Sequence, residues 1–280
     1  MSQTRKFHQL DVFSAEPLMG NALAVVHQAE GLDDEALAAF ARWTNLAETT
    51  FLLPPTHPDA DYRVRIFTID GELPFAGHPT LGSCRAWLEA GGRPRNSGQV
   101  IQECGIGLVR VRQSKSRLAF AAPPLRRSGP LDEALVSRIA DGLGIPSSEI
   151  LAHQWVDNGP GFCAVMLESA AKVLALKPDR LKLRGMEVGV LGPQVEGADS
   201  DFEVRAFVTS EGVPEDPATG SLNAGLAVWL TGAGLAPDHY CVAQGTALGR
   251  RARIFIDREG EDIWVGGDCA VVVDGSVNLG

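Results

Sequence analysis

Glu48 is the first residue whose place in the sequence points to chemistry. It is the only Asp, Glu, Lys or Arg between Arg42 and Asp59, and apolar residues stand close on both sides of it. Partial removal from water favours the protonated form of a carboxyl group, which suits a general base that must later return the proton as an acid. A surface glutamate at a helix-to-strand junction fits the segment equally well, so this residue alone leaves both interpretations open.

His78 and Asp216 are the next candidates, and each lies near the beginning of a predicted helix. His78 precedes Pro79, a residue common in the first helical turn, and Asp216 opens an Asp-Pro-Ala-Thr-Gly-Ser segment. A histidine beside Gly and Pro is often only a turn residue, and the aspartate can simply cap its helix. Their matching placement in the two halves of the chain favours a shared functional role.

An internal repeat supports that interpretation. Residues 76–88 and 218–230 align at a constant offset of 218 − 76 = 142; both begin in a small-residue turn, end in Trp-Leu and carry few charges. Helices that are apolar all round are core elements, so the repeat predicts two similar lobes with a crevice between them as the place for a site. Unpaired N–H groups at each helix start would bind a carboxylate, and two ordinary capped helices are the alternative.

Hydrophobic periodicity predicts many short strands and few helices. Helices are predicted from the N-cap Asp33 to Trp43, near 79–90, over 131–142 and near 220–232. The connections between strands are judged too short for βαβ crossovers. The pattern therefore indicates an α+β fold and not a doubly wound one.

Composition and missing motifs exclude several functions. The chain has 280 residues, 25 Lys and Arg against 35 Asp and Glu, and a net charge of −10, which disfavours nucleic acid as a partner. No histidine pair has metal-ligand spacing, and neither GxGxxG nor GxxxxGK[ST] is present, so we expect no metal and no nucleotide cofactor.

The same evidence bears on location. Residues 217–237 are uncharged and about as long as a membrane span, but they contain prolines, glycines and polar residues, so we expect a buried helix and no membrane segment. The N-terminal residues carry charges where a signal peptide needs an apolar run, and the five widely spaced cysteines include no CxxC pair. We expect a cytoplasmic protein.

Several motifs, in order along nearly the whole chain, resemble those of the PhzF-like (phenazine biosynthesis-like) family within the diaminopimelate-epimerase fold. Each motif alone is a weak signal, but their order is specific. They are Asp11-Val-Phe, Gly20-Asn21, Ala47-Glu-Thr-Thr-Phe51, Arg65-Ile-Phe-Thr, Glu72-Leu-Pro-Phe-Ala-Gly-His-Pro-Thr-Leu-Gly82, Asp216-Pro-Ala-Thr-Gly-Ser221, Gln244-Gly245 with Gly249-Arg250, and Val265-Gly-Gly.

The resemblance implies an α+β fold of two similar lobes, each a barrel-like, mostly antiparallel sheet wrapped around a central helix. The expected lobes are 1–125, with its helix near 79–90, and 126–280, with its helix near 220–232. The last strand belongs to the second lobe or returns to the first. The resemblance also implies a ligand between the lobes and a homodimer.

The resemblance further implies a site and a reaction. Glu48 is the implied acid/base, and the implied reaction is a cofactor-free isomerisation that moves a proton between two carbons of a small carboxylate-bearing metabolite. Related racemases of this fold use a cysteine at each helix start, and this sequence has none there, which argues against a two-thiol mechanism. The implied catalytic partners are His78 and Asp216, and the implied substrate-binding residues are Asn21, Gly77, Thr219, Gly220 and Ser221.

Two other functions stay open at the level of sequence. A non-catalytic small-molecule-binding or interaction protein can retain the same fold and pocket. A lyase or dehydratase can use the same carbanion, because a carbanion can also expel a leaving group.

Overall fold

A computed structural model describes residues 3–114, 117–208 and 215–280 of the chain. The chain forms two compact units: Met1–Ala121 together with Gly266–Gly280, and Ala122–Val265. The observed boundary lies 125 − 121 = 4 residues before the expected one. The segment Gly266–Gly280 belongs to the first unit.

The first unit contains two helices and a sheet. The helices are α1 (Asp34–Thr44) and α2 (Gly77–Glu89). The strands are β1 (Gln3–Val12), β2 (Asn21–Val26), β3 (Glu48–Leu53), β4 (Tyr62–Phe67), β5 (Glu72–Leu73), β6 (Gln99–Cys104), β7 (Gly107–Ser114), β8 (Arg117–Ala121) and the last strand of the chain, β17 (Cys269–Leu279).

Helix α1 shows how local sequence sets the ends of an element. The Asp33 carboxylate accepts the Ala36 N–H at 2.9 Å, which caps the first turn, and Asn45 ends the helix in a left-handed conformation with φ 55°. Leu37 and Phe40 pack into a core cluster with Phe51 of β3. The helix thus delivers the chain directly to the first residue of β3.

Both parallel and antiparallel pairs build the first sheet. β1 and β2, β3 and β4, β6 and β7, and β7 and β8 are antiparallel, whereas β2 and β3, and β4 and β6, are parallel. The expectation that the connections are too short for βαβ crossovers was wrong. Residues 27–47, which include α1, are long enough to carry the chain back to the starting end of β2, so that β3 runs parallel beside it.

Strand β17 closes the first unit. It pairs antiparallel with β1 along its whole length, from Gln3 opposite Leu279 to Val12 opposite Cys269, with one register shift between Gln9 and Leu10. The α2 helix contacts β1, β2, β3, β6, β7, β8 and β17, so the sheet surrounds it.

The second unit repeats this plan. Its helices are α3 (Glu133–Leu143), α4 (Ala170–Ala175), α5 (Arg180–Leu183) and α6 (Gly220–Gly232). Its strands are β9 (Ala152–Trp155), β10 (Phe162–Met166), β11 (Glu187–Pro193), β12 (Phe202–Phe207), β13 (Glu215–Asp216), β14 (His239–Gln244), β15 (Ala252–Glu259) and β16 (Asp262–Gly267), whose last two residues pass into the first unit.

The strand partnerships of the two units match in order and direction. β10 and β11 are parallel like β2 and β3, β11 and β12 are antiparallel like β3 and β4, and β12 and β14 are parallel like β4 and β6. Two short helices, α4 and α5, take the place that α1 has in the first unit. The predicted α+β class is confirmed. None of the helices in the described ranges has the length and hydropathy of a membrane-spanning helix.

The central helices α2 and α6 each have 13 residues, and each passes close to a strand or loop at a glycine. A Cβ at Gly82 would meet Leu23 Cδ2 at 2.5 Å, and one at Gly225 would fall on the backbone carbonyl of Val156. The first residues of the two helices lie 220 − 77 = 143 positions apart in the sequence, and the two glycines also lie 225 − 82 = 143 positions apart. This spacing is one more than the offset of 142 that aligned the sequences.

We expect Gly225→Ala to lower the free energy of unfolding by at least about 2 kcal/mol, because the backbone of Val156 cannot yield to the added methyl group. The control is Gly232→Ala in the same helix, where a Cβ meets nothing within 4 Å. That variant should be unchanged or up to about 1 kcal/mol more stable in urea unfolding. Equal stability of the two variants would contradict the close approach.

Buried Glu203 makes stability depend on pH. The residue is 1% exposed, and burial raises its pKa to about 7, against an opposing hydrogen bond with Thr246 and the opposing charges of Arg253 and Arg205. Between pH 4.5 and 7 this carboxyl group is protonated in the folded protein and ionised in the unfolded protein, so the free energy of unfolding falls as the pH rises through that window.

Glu203→Gln should thus be more stable than the wild type at pH 8 by up to about 3 kcal/mol, and similar to it near pH 4. Urea unfolding at both pH values measures the difference, with Glu196→Gln as an exposed control. A difference that does not depend on pH would contradict the raised pKa of Glu203.

Candidate active site

Glu48 is the first residue of β3, three residues after the left-handed end of α1. Its side chain is 16% exposed, so it is not the surface glutamate of the alternative interpretation. The strand runs inward from this point through Thr49, Thr50 and Phe51, all of which are buried. The carboxylate therefore lies at the end of a core strand, where little water reaches it.

His78 faces this carboxylate from the first turn of α2. Its Nε2 lies 3.3 Å from Glu48 Oε2, and its Nδ1 lies 3.3 Å from the amide nitrogen of Asn21, the first residue of β2. The residue is 3% exposed and helical, and not part of a simple turn. The first unit thus brings together three of the residues proposed from sequence: Asn21, Glu48 and His78.

Burial keeps the His78 imidazole neutral. Loss of hydration lowers its pKa to about 3 and outweighs a hydrogen bond with the backbone of Ala22, which raises it. Glu48 therefore faces a neutral ring at neutral pH and not a cation. A carboxylate beside a cation would become a weaker base, so the neutral ring leaves Glu48 able to take a proton.

The approach of His78 Nε2 to Glu48 Oε2 does not have the geometry of a hydrogen bond. The amide nitrogen of Asn21 can only donate, so Nδ1 of the neutral ring accepts from it and the ring hydrogen lies on Nε2, on the side of Glu48. A general acid/base has to exist in a protonated and an ionised state during one turnover. The 3.3 Å separation places the Nε2–H of the ring beside this carboxyl group.

The start of α2 differs from the start of most other helices. In α1, α3, α4 and α5 an Asp or Ser side chain accepts a backbone N–H of the first turn. The N-caps of the two central helices, Ala76 for α2 and Thr219 for α6, make no such bond. Gly77, the first residue of α2, is buried there. An uncapped helix start presents N–H groups and a positive dipole end that suit a carboxylate.

In the second unit, the other predicted residues gather at the start of α6. The Thr219 hydroxyl donates to Asp216 Oδ2 at 2.6 Å. Gly220 and Ser221 are the first two helical residues, and the Ser221 carbonyl accepts the Asn158 amide at 2.8 Å. The N-cap residue of this helix is Thr219 and not Asp216.

The sequence analysis assigned no role to Gln244, which joins the polar network at the start of α6. Its buried amide bonds Thr219, the backbone of Asp216 and Asn223. A signal was present, since Gln102 and Gln244 are separated by 244 − 102 = 142 positions, which is the offset of the repeat. Buried glutamines at matching positions would have pointed to matching polar networks.

Other reactive groups do not add to this site. Cys84, two turns into α2, is fully buried, and burial raises the pKa of its thiol well above its ordinary value. Within the described ranges no group of three or more His, Cys, Asp and Glu side chains is arranged to hold a metal ion.

Comparison with known proteins gives a family match over most of the chain. Residues 10–275 match the PhzC-PhzF family model, described as phenazine biosynthesis-like protein. The chain is 35% identical to antisense-enhancing sequence 1 of Schizosaccharomyces pombe, over 96% of this chain and 97% of that protein. It is 34% identical to trans-2,3-dihydro-3-hydroxyanthranilate isomerase of Pseudomonas aeruginosa, over 90% of this chain and 89% of that enzyme.

Solved structures agree on the fold. A phenazine biosynthesis protein of the PhzF family from Enterococcus faecalis aligns with a TM-score of 0.82 at 20% sequence identity, covering 98% of this chain and 99% of that one. At this identity the similarity establishes the fold.

We expect the His78 ring to stay neutral between about pH 5 and 8, because its burial opposes charge. Nitrogen-15 NMR of labelled histidine should show no titration of the His78 signal in this range. The same residue in urea-unfolded protein is the control and should titrate normally. A midpoint between pH 6 and 7 in the folded protein would contradict the neutral ring.

Proposed function

The chain belongs to the phenazine biosynthesis-like (PhzC-PhzF) family, and from this we propose that it is an isomerase that moves a proton on a small carboxylate-bearing metabolite. Glu48 is the proposed acid/base. The observation that carries the proposal is the buried contact of 3.3 Å between Glu48 and His78.

The proposed reaction has two proton transfers. The Glu48 carboxylate takes a proton from an acidic carbon, which leaves a carbanion on the substrate and a protonated Glu48. Glu48, whose proton can exchange with solvent while the carboxyl group holds it, then returns a proton to a different carbon, so no atom is gained or lost. Both steps need the same carboxyl group to act first as a base and then as an acid.

His78 is proposed to stabilise the charge that develops on the substrate. The single N–H of the neutral imidazole, on Nε2, can donate to an anion that develops beside Glu48 once this carboxylate has taken the proton. Asn21, which contacts the other ring nitrogen at 3.3 Å, is proposed to hold the ring in place and to contribute to substrate binding.

The substrate carboxylate is proposed to bind at uncapped backbone N–H groups. Gly77 lies at such a helix start in the first unit, and Gly220 lies at the corresponding one in the second. Asp216, with Thr219 and Ser221, stays part of the proposal as a catalytic and binding group. Absence of a cofactor, a homodimeric state and a cytoplasmic location belong to the same proposal.

The name of one relative supplies a probe substrate. Trans-2,3-dihydro-3-hydroxyanthranilate carries a carboxylate on a small ring and is the substrate named for a protein 34% identical to this chain. We propose substrates of that chemical class, a small hydroxylated carboxylate with an acidic C–H bond, for this protein as well.

We expect the wild-type protein in deuterium oxide to incorporate solvent deuterium into this probe during turnover, as observed by proton NMR. Glu48→Gln should lower the rate of incorporation about 10²- to 10⁴-fold, because the amide cannot take the proton. The variant keeps the size and shape of the side chain, so its fold should be preserved.

The matched control is Glu89→Gln, which removes an exposed carboxylate paired with Arg85 at 2.8 Å in the same helix as His78. Its exchange rate should stay within about twofold of the wild type. Undiminished exchange in Glu48→Gln would remove Glu48 as the base. Binding of the probe by the wild type without any exchange would favour a non-catalytic binding protein, and loss of a leaving group would favour a lyase.

A further inference from the structure

Gln244, the last residue of β14, has a hydrogen-bond partner for every donor and acceptor of its side-chain amide. The residue is fully buried. Its Nε2 donates to the backbone oxygen of Asp216 and to Thr219 Oγ1, both at 2.9 Å. Its Oε1 accepts from the Thr219 N–H at 3.1 Å and from the Asn223 amide at 2.9 Å. A primary amide has two N–H donors and two acceptor lone pairs, so every one is occupied.

These four bonds fix which way the amide points. The Thr219 N–H is a donor only, so the atom that faces it must be the amide oxygen. The backbone oxygen of Asp216 is an acceptor only, so the atom that faces it must be the amide nitrogen. The orientation of Gln244 is therefore set by the main chain on both sides.

The fixed amide sets the direction of the Thr219 hydroxyl. The hydroxyl oxygen accepts a hydrogen bond from Gln244, and its single proton then points to Asp216 Oδ2 at 2.6 Å. Bonds in such a chain strengthen one another in a buried setting. Asp216 is thus held at two points by one residue, at its backbone oxygen directly and at its carboxylate through Thr219.

The hydrogen-bond network of the equivalent glutamine in the first unit ends at a different group. Gln102 is also fully buried, accepts from the Tyr62 hydroxyl at 2.8 Å and donates to Thr80 Oγ1 at 3.1 Å. The Thr80 hydroxyl donates onward to the backbone oxygen of Ala76 at 2.9 Å. Both networks tie a strand to the start of a central helix, but only the one built on Gln244 reaches a carboxylate.

We propose that Gln244 is a positioning residue, which acts through the Thr219 hydroxyl to fix the carboxylate of Asp216 for its work on the substrate. The proposal rests on the proposed function, in which Asp216 is a catalytic group. Bracing of the helix start, which Gln102 also performs, is not sufficient to explain the contact with Asp216.

The test is Gln244→Glu, which keeps an acceptor oxygen and removes both N–H donors. The Thr219 hydroxyl then receives no hydrogen bond, and its proton is shared between Asp216 and the introduced carboxylate. With trans-2,3-dihydro-3-hydroxyanthranilate as probe, kcat should fall about tenfold or more while KM changes by less than about threefold, because positioning acts in the transition state. Gln102→Glu makes the same change in the first unit and should leave kcat within about threefold of the wild type.

A double-variant cycle separates positioning from simple bracing. In the Asp216→Asn protein, adding Gln244→Glu should lower kcat no further, because the residue that it positions is already lost. Additive losses would overturn the proposal. If Gln244→Glu does not fold, as judged by circular dichroism, Gln244→Met replaces it and should give the same loss and the same lack of additivity.

A spectroscopic measurement needs no substrate. Threonine labelled with carbon-13 should reveal a slowly exchanging hydroxyl proton of Thr219, which is lost in Gln244→Glu and retained in Gln102→Glu. An unchanged Thr219 signal in Gln244→Glu would overturn the proposal whether or not the probe is turned over. Failure of the proposed function has a separate signature, since Glu48→Gln would then keep the exchange activity.

Discussion

The contact between a buried neutral imidazole and a partly buried carboxyl group is the constraint on which the proposed chemistry depends. Hydration would stabilise a charged His78, and the protein removes that hydration by burying the ring, which is carried by the first turn of α2. A protonated ring would form an ion pair with Glu48 and make it a weak base. The fold therefore has to keep water away from the ring, and the strand that carries Glu48 and the helix that carries His78 are both core elements.

The repeated architecture provides two similar helix starts that carry different side chains. Strand order and direction agree between the units, and each central helix passes a glycine against its neighbours. Neither central helix has a side-chain cap, whereas the four peripheral helices do. Capping costs a helix nothing and usually stabilises it, so its absence at both central starts leaves backbone donors for another use. The divergence lies in the side chains: histidine in one unit and a hydroxyl and carboxylate pair in the other.

Much of the fold and part of the site could be predicted from the sequence because their signals are local. The cap at Asp33 and the isolation of Glu48 among uncharged residues depend on residues close in the chain. The parallel β2–β3 crossover was missed because its direction depends on tertiary packing of α1 and not on loop length alone. No role was predicted for Gln244, since its four hydrogen bonds go to three residues that lie 21 to 28 positions away.

Strand β17 has a consequence for the order of folding during synthesis. Residues 122–265 form a contiguous unit whose strands are all made before the chain reaches residue 269. The outer edge of β1 can gain its antiparallel neighbour only after that point, because β17 follows the strands of the second unit in the chain. Asn21, Glu48 and His78 are therefore made before the second unit but belong to the unit that is completed after it. A nascent chain would hold a finished second unit while the first still presents an open sheet edge.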